Sequence, residues 1–150
     1  MSSKGINQEF KITTTGSDLH VREALGLLRA GLILRGVSDE VCSSSEIAMA
    51  EALNNIAEHA YAARDPGPVE IAVKISDAGV RFVLRDWGHP MPGNQLPGGT
   101  LPDNDVDLDD LPEGGFGWYM LHSLTESLSY SRQNDENQLV LVVSTPAQAS

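Results

Sequence analysis

The chain has 150 residues, of which 41% are hydrophobic, and a formal net charge of −11 at pH 7. This length suits a single domain over residues 1–150, with a core large enough to fold without disulfides or structural metals. The acidic excess argues against a nucleic-acid partner, because proteins bind polyanions by neutralising phosphates with Lys and Arg.

The N-terminal part of the chain predicts a strand followed by a helix. The segment from Phe10 to Thr15 is short and β-branched, as is typical of a strand. Ser17 and Asp18 then offer a helix cap before apolar residues at helical spacing. Gly36 is the predicted end of this helix.

A second helix and a β-hairpin follow. The helix is predicted from Ser38 to about Ala63, where the sequence Asp-Pro-Gly-Pro ends it. Apolar residues alternate over 69–75 and again over 80–84, on either side of a turn at 77–79. This pattern predicts two antiparallel strands joined by a tight turn.

The composition changes to Pro, Gly, Asn and Asp between Gly88 and Glu113. So long a segment without periodicity is usually a functional lid or a disordered segment, so we expect a lid at about 88–113. A helix after Gly117 and strands over 128–132 and 139–143 complete the chain. Three helices on a mostly antiparallel sheet predict an α+β fold, a two-layer sandwich.

The single cysteine, Cys42, cannot form an internal disulfide, so nothing calls for an oxidising compartment and we expect a buried thiol. No segment approaches the roughly 20 apolar residues that span a bilayer. These features predict a cytoplasmic protein without a membrane partner.

A polar stripe on the second helix is the first candidate for a functional site. The spacing of Glu51, Asn55, Glu58 and His59 places them on one helix face. Because the surrounding residues are apolar, this helix should be largely buried, and the stripe then needs water, a ligand or a metal beside it. A solvated face gives the same pattern. For His59 alone, packing in the core is the favoured interpretation.

Asp86 ends the predicted hairpin on the face that points to the core. Because it alternates in phase with the apolar residues of its strand, its carboxylate must be hydrogen-bonded. The exocyclic amine of a planar base would satisfy it, and Gly88 would let the backbone approach such a ring closely. A turn cap is an equally common role for Asp-x-Gly.

The third candidate is the sequence Glu113-Gly114-Gly115-Phe116-Gly117 at a predicted helix start. Glycines allow backbone N–H groups to close on phosphate oxygens, where the helix dipole also favours negative charge. Such a motif is weak when taken alone. The order of the three candidates along the chain is more specific.

That order resembles the GHKL ATP-binding fold, also called the Bergerat fold, shared by gyrase, histidine kinases and heat-shock chaperones. It is most similar to the anti-sigma-factor serine/threonine kinases of bacteria. Residues 51–55 with 59–61 look like the N-box of that family, Asp86-x-Gly88 like the first glycine box, and Gly115-x-Gly117 like the second. The resemblance runs from about Phe10 to Val143.

The resemblance also implies site residues and cofactors. Glu51 would be the catalytic general base, Asn55 a magnesium ligand within the nucleotide site, and Asp86 the acceptor for the adenine amine. The remaining nucleotide-binding residues would be Gly88, Gly115 and Gly117. The implied cofactors are ATP and Mg²⁺.

By the same resemblance, we expect an ATP-dependent serine/threonine protein kinase that is also an anti-sigma factor in a partner-switching system. Its partners would be a sigma factor and an anti-anti-sigma protein that carries a Ser or Thr acceptor. A homodimer is a family-level expectation.

The alternative from a different class is a non-catalytic module that ATP gates and that sequesters a protein partner. No Lys or Arg occurs between Arg85 and Arg132, so neither the lid nor the glycine turn supplies a cation for the γ-phosphate. The ATP domain of a histidine kinase fits less well, because only about 45 residues precede Ser45, too few for a helical hairpin with the phospho-acceptor.

Overall fold

The computed structural model describes residues 8–61, 66–91 and 115–145. Within these ranges five strands form one sheet: β1 (Gln8–Thr15), β2 (Pro68–Ser76), β3 (Gly79–Asp86), β4 (Ser127–Gln133) and β5 (Glu136–Ser144). The helices are α1 (Asp18–Leu34), α2 (Asp39–Asn55) and α3 (Gly115–Leu124). The predicted α+β fold is confirmed.

The sheet has the strand order β1-β2-β3-β5-β4, and every neighbouring pair is antiparallel. Alternate residues of β2 and β3 are buried against the helices, including Val73 and Phe82. Asp86 continues this alternation and lies on the same face, as predicted. In register with it, Asn137 of β5 stands opposite Asp86, and Arg132 of β4 stands opposite Asn137.

Both ends of α1 follow the predicted signals. The Ser17 side chain accepts a hydrogen bond from the His20 N–H, which caps the first turn. Gly36 adopts a φ of +82° just beyond the helix, a conformation that glycine takes without steric cost. The buried residues of α1 recur at helical spacing: Val21, Ala24, Leu28 and Leu32.

The second helix departs from the prediction at its C-terminal end. Regular α-helix ends at Asn55, and residues Ile56–Ala60 form a wider π-helical turn, hereafter the π-turn. The helix was predicted to run to about Ala63, but Tyr61 is already outside it and residues 62–65 lie outside the described ranges. A π-turn advances fewer degrees per residue, so positions after 55 rotate relative to a regular helix.

The C-terminal end of the π-turn is tied to the hairpin of β2 and β3. The hydroxyl of Tyr61 donates to the carbonyl of Pro68, 2.7 Å away, and accepts from the N–H of Trp87 at 3.0 Å. The His89 N–H donates to the Ala60 carbonyl at 2.6 Å. These bonds fix the helix layer against the point where the chain leaves β3.

Two further expectations concern the third helix and the lid. Helix α3 begins at Gly115 and not after Gly117, so both glycines lie in its first turn. Of the predicted lid at 88–113, only residues 88–91 fall inside the described ranges.

Cys42 is a buried free thiol, as expected. None of the helices in the described part of the chain is long and apolar enough to cross a membrane.

Candidate functional site

A cleft opens between the helices and the end of β3, and described residues of all three sequence candidates line it or neighbour residues that do. Asn55 and the π-turn form one wall, and Asp86 with residues 89–91 forms another. Trp118 of α3 is buried and closes the cleft from the helix side. The cleft is largely apolar with a few polar groups, which is the usual character of a small-molecule site.

Asp86 presents one carboxylate oxygen to the protein. Its Oδ1 accepts hydrogen bonds from the Gly88 N–H at 3.0 Å and from the Asn137 amide at 2.8 Å. Neither bond uses Oδ2, so this oxygen can accept a donor from a ligand in the cleft. Burial raises the pKa of Asp86, while the bonds from Asn137 and Gly88 and the charge of Arg132 act in the opposite direction.

Asn137 is the centre of a hydrogen-bond network behind Asp86. Its amide nitrogen also donates to the His89 carbonyl at 2.9 Å. Its oxygen accepts from the Tyr130 hydroxyl at 2.6 Å and from the Arg132 guanidinium at 2.8 Å. The same Arg132 nitrogen donates to the Gly88 carbonyl at 3.0 Å, so the β4–β5 hairpin holds the backbone that forms the cleft wall.

Asn55 is the second polar group aimed at the cleft. It is buried, and its Nδ2 has no hydrogen-bond partner among the described residues. An unpaired buried amide is costly, so a ligand that bonds it recovers free energy. Rotation about the terminal bond exchanges its two atoms, so the same side chain can offer an oxygen to a cation or a nitrogen to an anion.

Glu51 lies one helical turn before Asn55 and meets the first turn of α3. A Cβ atom added to Gly117 would lie 2.7 Å from Oε2 of Glu51. Glycine at 117 therefore makes room for this carboxylate. The structure thus brings the predicted base together with the second of the two predicted glycines.

The packing of the fold itself requires glycine at position 88. A Cβ atom at this position would collide with the backbone carbonyl of Ala60. The close approach that requires glycine is therefore to the π-turn. Gly88 is not among the residues that line the cleft, although its N–H orients Asp86.

The π-turn separates the other two members of the predicted polar stripe. Glu58 is exposed and does not line the cleft. His59 does line it, but it is exposed, so the expectation that this histidine packs in the core is wrong. The rotation introduced by the π-turn explains why four residues predicted on one face are divided.

The sequence also matches a known protein family. The family model described as the histidine kinase-like ATPase domain matches residues 15–143, which is most of the chain. The chain belongs to this family. In this member of the family, the buried residues Asp86 and Asn55 lie on two walls of the cleft.

Individual relatives in the family are serine kinases. The chain is 28% identical over 101 residues to the serine-protein kinase RsbW of Staphylococcus epidermidis, a match that covers 66% of this chain and 64% of that relative. It is 29% identical over 118 residues to serine-protein kinase RsbW of Bacillus cereus, which covers 77% of this chain and 72% of the relative. The chain thus spans about two thirds of the length of these curated relatives.

A solved structure of the RsbU and RsbW domains of a Mycobacterium tuberculosis protein has the same fold. The superposition has a TM-score of 0.64 at 19% sequence identity and covers 94% of this chain and 34% of that one. This likeness shows that the two chains share a fold.

Several residues of the site were missed by the sequence analysis. Asn137, Tyr130 and Arg132 complete the network around Asp86, and Trp118 lines the cleft. Asn137 did leave a signal, because it alternates in phase with the buried Leu139 and Leu141 of the same strand. A polar residue on that face needs partners, by the reasoning applied to Asp86.

Proposed function

We propose that the protein binds ATP with Mg²⁺ in this cleft and acts as a serine/threonine protein kinase on a small regulatory protein. The observation that carries the proposal is the pair of incompletely satisfied polar groups on opposite walls of one apolar cleft. These are the Oδ2 atom of Asp86 and the buried amide of Asn55. Membership of an ATPase family supports the same ligand.

Adenine suits the wall formed by Asp86. The exocyclic amine of adenine is a donor, and Oδ2 of a carboxylate accepts such a bond more strongly than a neutral acceptor does. Trp118, Ile56 and Leu139 supply apolar surface around the same cleft for a planar ring. With Asp86 as the base contact, the phosphates would extend toward Asn55 and the first turn of α3.

The donor set near Asn55 suits a magnesium nucleotide. Bound Mg²⁺ would neutralise phosphate charge, and it usually takes only one or two protein ligands because waters and phosphates complete its shell. The amide oxygen of Asn55 would be such a ligand. Among the residues that the structure describes, no cluster of three His, Cys, Asp or Glu side chains forms a separate metal cage.

Glu51 is proposed as the general base. Its carboxylate would accept the proton of a Ser or Thr hydroxyl as the hydroxyl oxygen attacks the γ-phosphorus. The bond from that phosphorus to the β,γ-bridging oxygen then breaks, and ADP leaves. Proton transfer by a positioned side chain contributes typically about 10² to 10⁴ in rate, although phosphoryl transfer depends mostly on positioning and charge stabilisation.

The proposed protein substrate is an anti-anti-sigma protein with a Ser or Thr acceptor, and the second partner is a sigma factor. The support is the similarity to serine-protein kinases named RsbW and the resemblance to anti-sigma-factor kinases. In such a system the protein holds the sigma factor until the anti-anti-sigma protein competes for it. Phosphorylation of that competitor then restores the original complex.

A second candidate, an ATP-gated binding module without turnover, rests on the charge of the cleft. None of its described lining residues is Lys or Arg. Arg132 stands behind Asn137, and its NH1 nitrogen already donates to Asn137 and Gly88. A kinase with this cleft therefore needs other groups to neutralise the negative charge of the γ-phosphate. These would be Mg²⁺, the dipole of α3, and the rest of the chain or a partner.

One experiment separates the two candidates. The protein is mixed with candidate anti-anti-sigma proteins from its own organism and with γ-labelled ATP and Mg²⁺, while calorimetry measures ATP affinity. Label on a Ser or Thr of the partner supports the kinase. ATP binding with no label on the partner rejects the kinase in favour of the gated module, and the absence of ATP binding rejects both.

A further inference from the structure

We propose that Asn137 is a positioning residue that sets the base specificity of the cleft by fixing the orientation of Asp86. The inference rests on the proposed nucleotide function and assigns a role to a residue that has none so far. Asn137 lines the cleft beside Asp86, but its amide donors and its oxygen are all engaged by protein groups, so it acts on a nucleotide through Asp86.

The geometry leaves the Asn137 amide no freedom. Its two N–H hydrogens have acceptors at Asp86 Oδ1 and the His89 carbonyl, 2.8 and 2.9 Å away, with the Gly88 carbonyl at 3.4 Å. Both lone pairs of its oxygen are taken by Tyr130 and Arg132. A flipped amide would turn its oxygen toward three acceptors, so only one orientation is compatible with these neighbours.

This fixed amide determines what Asp86 shows to a ligand. With Oδ1 engaged by Asn137 and by the Gly88 N–H, the carboxylate cannot turn without losing two hydrogen bonds. Oδ2 is left as an acceptor at the cleft. The Asn137 N–H hydrogens already donate to Asp86 and His89, so they cannot donate to a ligand. Adenine, which carries an amine donor at C6, is then matched, whereas the C6 keto oxygen of guanine would place an acceptor against Oδ2.

The arrangement across the strands also separates two opposite charges. Asp86, Asn137 and Arg132 stand side by side on β3, β5 and β4. The amide between them accepts a hydrogen bond from the guanidinium and donates one to the carboxylate. Arg132 therefore stabilises the negative charge of Asp86 through Asn137, without a direct bond to the carboxylate. In agreement with this, the bond from Asn137 opposes the increase in the pKa of Asp86 that burial causes.

Other groups could contribute to a pH dependence measured at this site. The remaining titratable groups around the cleft, each on an element that borders it, are His59, His89 and Tyr130. These residues are unchanged in every comparison of the wild type with a position-137 variant. A difference between the two pH profiles therefore reports the carboxyl groups at 86 and 137.

The test uses Asn137→Asp, which keeps the shape and the acceptor for Tyr130 and Arg132 but loses both donors. Tyr130→Phe is a milder variant that keeps the ring and removes one bond to the amide, together with the bond that the Tyr130 hydroxyl accepts from the Met91 N–H at 3.0 Å. Gln138→Ala, on the same strand with its side chain on the other face, is the control. Affinities for Mg-ATP and Mg-GTP are measured by calorimetry from pH 5 to pH 8 on protein shown to be folded.

We expect wild type and Gln138→Ala to prefer ATP over GTP by the same factor. In Asn137→Asp this preference should fall by at least about tenfold, because a charged hydrogen bond that orients the acceptor is lost. The midpoint of the pH profile for ATP should also move upward, because two adjacent carboxylates hold a proton more tightly than one. Tyr130→Phe should reduce the preference by a smaller factor.

An unchanged ATP preference and pH midpoint in folded Asn137→Asp overturns the proposal. If that variant does not fold, an unchanged preference in Tyr130→Phe overturns it. If wild type binds neither nucleotide, the proposed function fails, and the positioning role is decided by NMR titration of the Asp86 carboxyl without nucleotide. This titration uses Asn137→Ala, which removes the donor to Asp86 without adding a charge: a pKa of Asp86 that rises supports the role, and an identical pKa overturns it.

Discussion

The Glu51 carboxylate lies against Gly117, at a distance that leaves no room for a side chain on the glycine. The contact joins the middle of α2 to the first turn of α3. A negative side chain at the N-terminal end of a helix is favoured by the helix dipole, so the contact suits both partners. It also places the proposed base beside the helix end toward which the phosphates would extend.

Gly117→Ala should separate folding from catalysis. The new Cβ would displace the Glu51 carboxylate, which is the far end of a flexible side chain, so the protein should still fold. Alanine is the better helix former by up to about 1 kcal/mol, so the melting temperature should be kept or raised. Phosphorylation of the partner should fall, because the proposed base is moved from its position.

Gly26→Ala is the matched control for that substitution. Gly26 also lies in a helix, but a Cβ atom there meets nothing within 4 Å. It should gain similar stability and leave phosphorylation unchanged. Equal activities in the two alanine variants would show that Glu51 does not need its observed position.

Glu51→Gln and Asn55→Ala should affect different steps. Glu51→Gln keeps the shape but loses the proton acceptor, so ATP affinity should be nearly intact while phosphorylation falls by about 10² to 10⁴. Asn55→Ala removes a buried amide from the cleft wall, so both ATP affinity and phosphorylation should fall. Calorimetry and the labelled-phosphate assay measure the two effects.

Glu58→Gln serves as the control for these variants, since Glu58 is exposed on the π-turn and does not line the cleft. It should match wild type in both assays. A loss of ATP affinity in Glu51→Gln as large as that in Asn55→Ala would argue that Glu51 binds nucleotide and is not the base.

Asp86→Asn should preserve stability at neutral pH while weakening ATP binding. The amide oxygen still accepts from Gly88 and Asn137, and a charge that burial disfavours is removed. Losing the charged acceptor for adenine should cost about 1.5 to 3 kcal/mol of binding free energy, or roughly tenfold to over a hundredfold in affinity.

The pH dependence of unfolding tests the same substitution without nucleotide. Because the pKa of Asp86 is raised in the folded state, the folded protein binds the proton more tightly than the unfolded chain. The contribution of Asp86 to stability therefore decreases as pH rises from the unfolded pKa through the raised folded pKa, and then stays level. The advantage of Asp86→Asn over wild type should shrink on acidification through this window. A variant less stable than wild type at pH 7 would contradict the prediction.

Gly88→Ala should destabilise the fold. Its Cβ, whose position the backbone fixes, would collide with the backbone carbonyl of Ala60, so neither atom can rotate away. A loss of about 1 to 3 kcal/mol in unfolding free energy is typical of such overpacking. Chemical denaturation should show a lowered midpoint, with Gly26→Ala again as the control. An unchanged midpoint would show that the π-turn yields without cost.

Local pattern was enough to predict most of the fold. Alternation in β3 correctly put Asp86 on the core face, and the capping residue Ser17 and the terminator Gly36 correctly bounded α1. Each of these features depends on neighbours within a few residues. The family resemblance, which rests on motif order, was confirmed by the match over residues 15–143.

What could not be predicted depends on contacts between distant segments. The π-turn has no sequence signature. The sequence therefore did not predict that His59 lines the cleft while Glu58 does not. The contact between Glu51 and Gly117 requires the packing of α2 on α3. Asn137 was overlooked because its partners come from three separate places in the chain: the end of β3, the following turn and β4.

The bonds from the hairpin to the π-turn have a consequence for how ligand binding can be observed. The backbone amides of Trp87 and His89 donate to the Tyr61 hydroxyl and the Ala60 carbonyl, so each is shielded only while the helix layer stays seated on the sheet. Their hydrogen-exchange rates therefore report the free energy of separating the two layers at this point. A ligand that bridges Asn55 and Asp86 must slow both amides together, while amides at the opposite end of the sheet exchange as before.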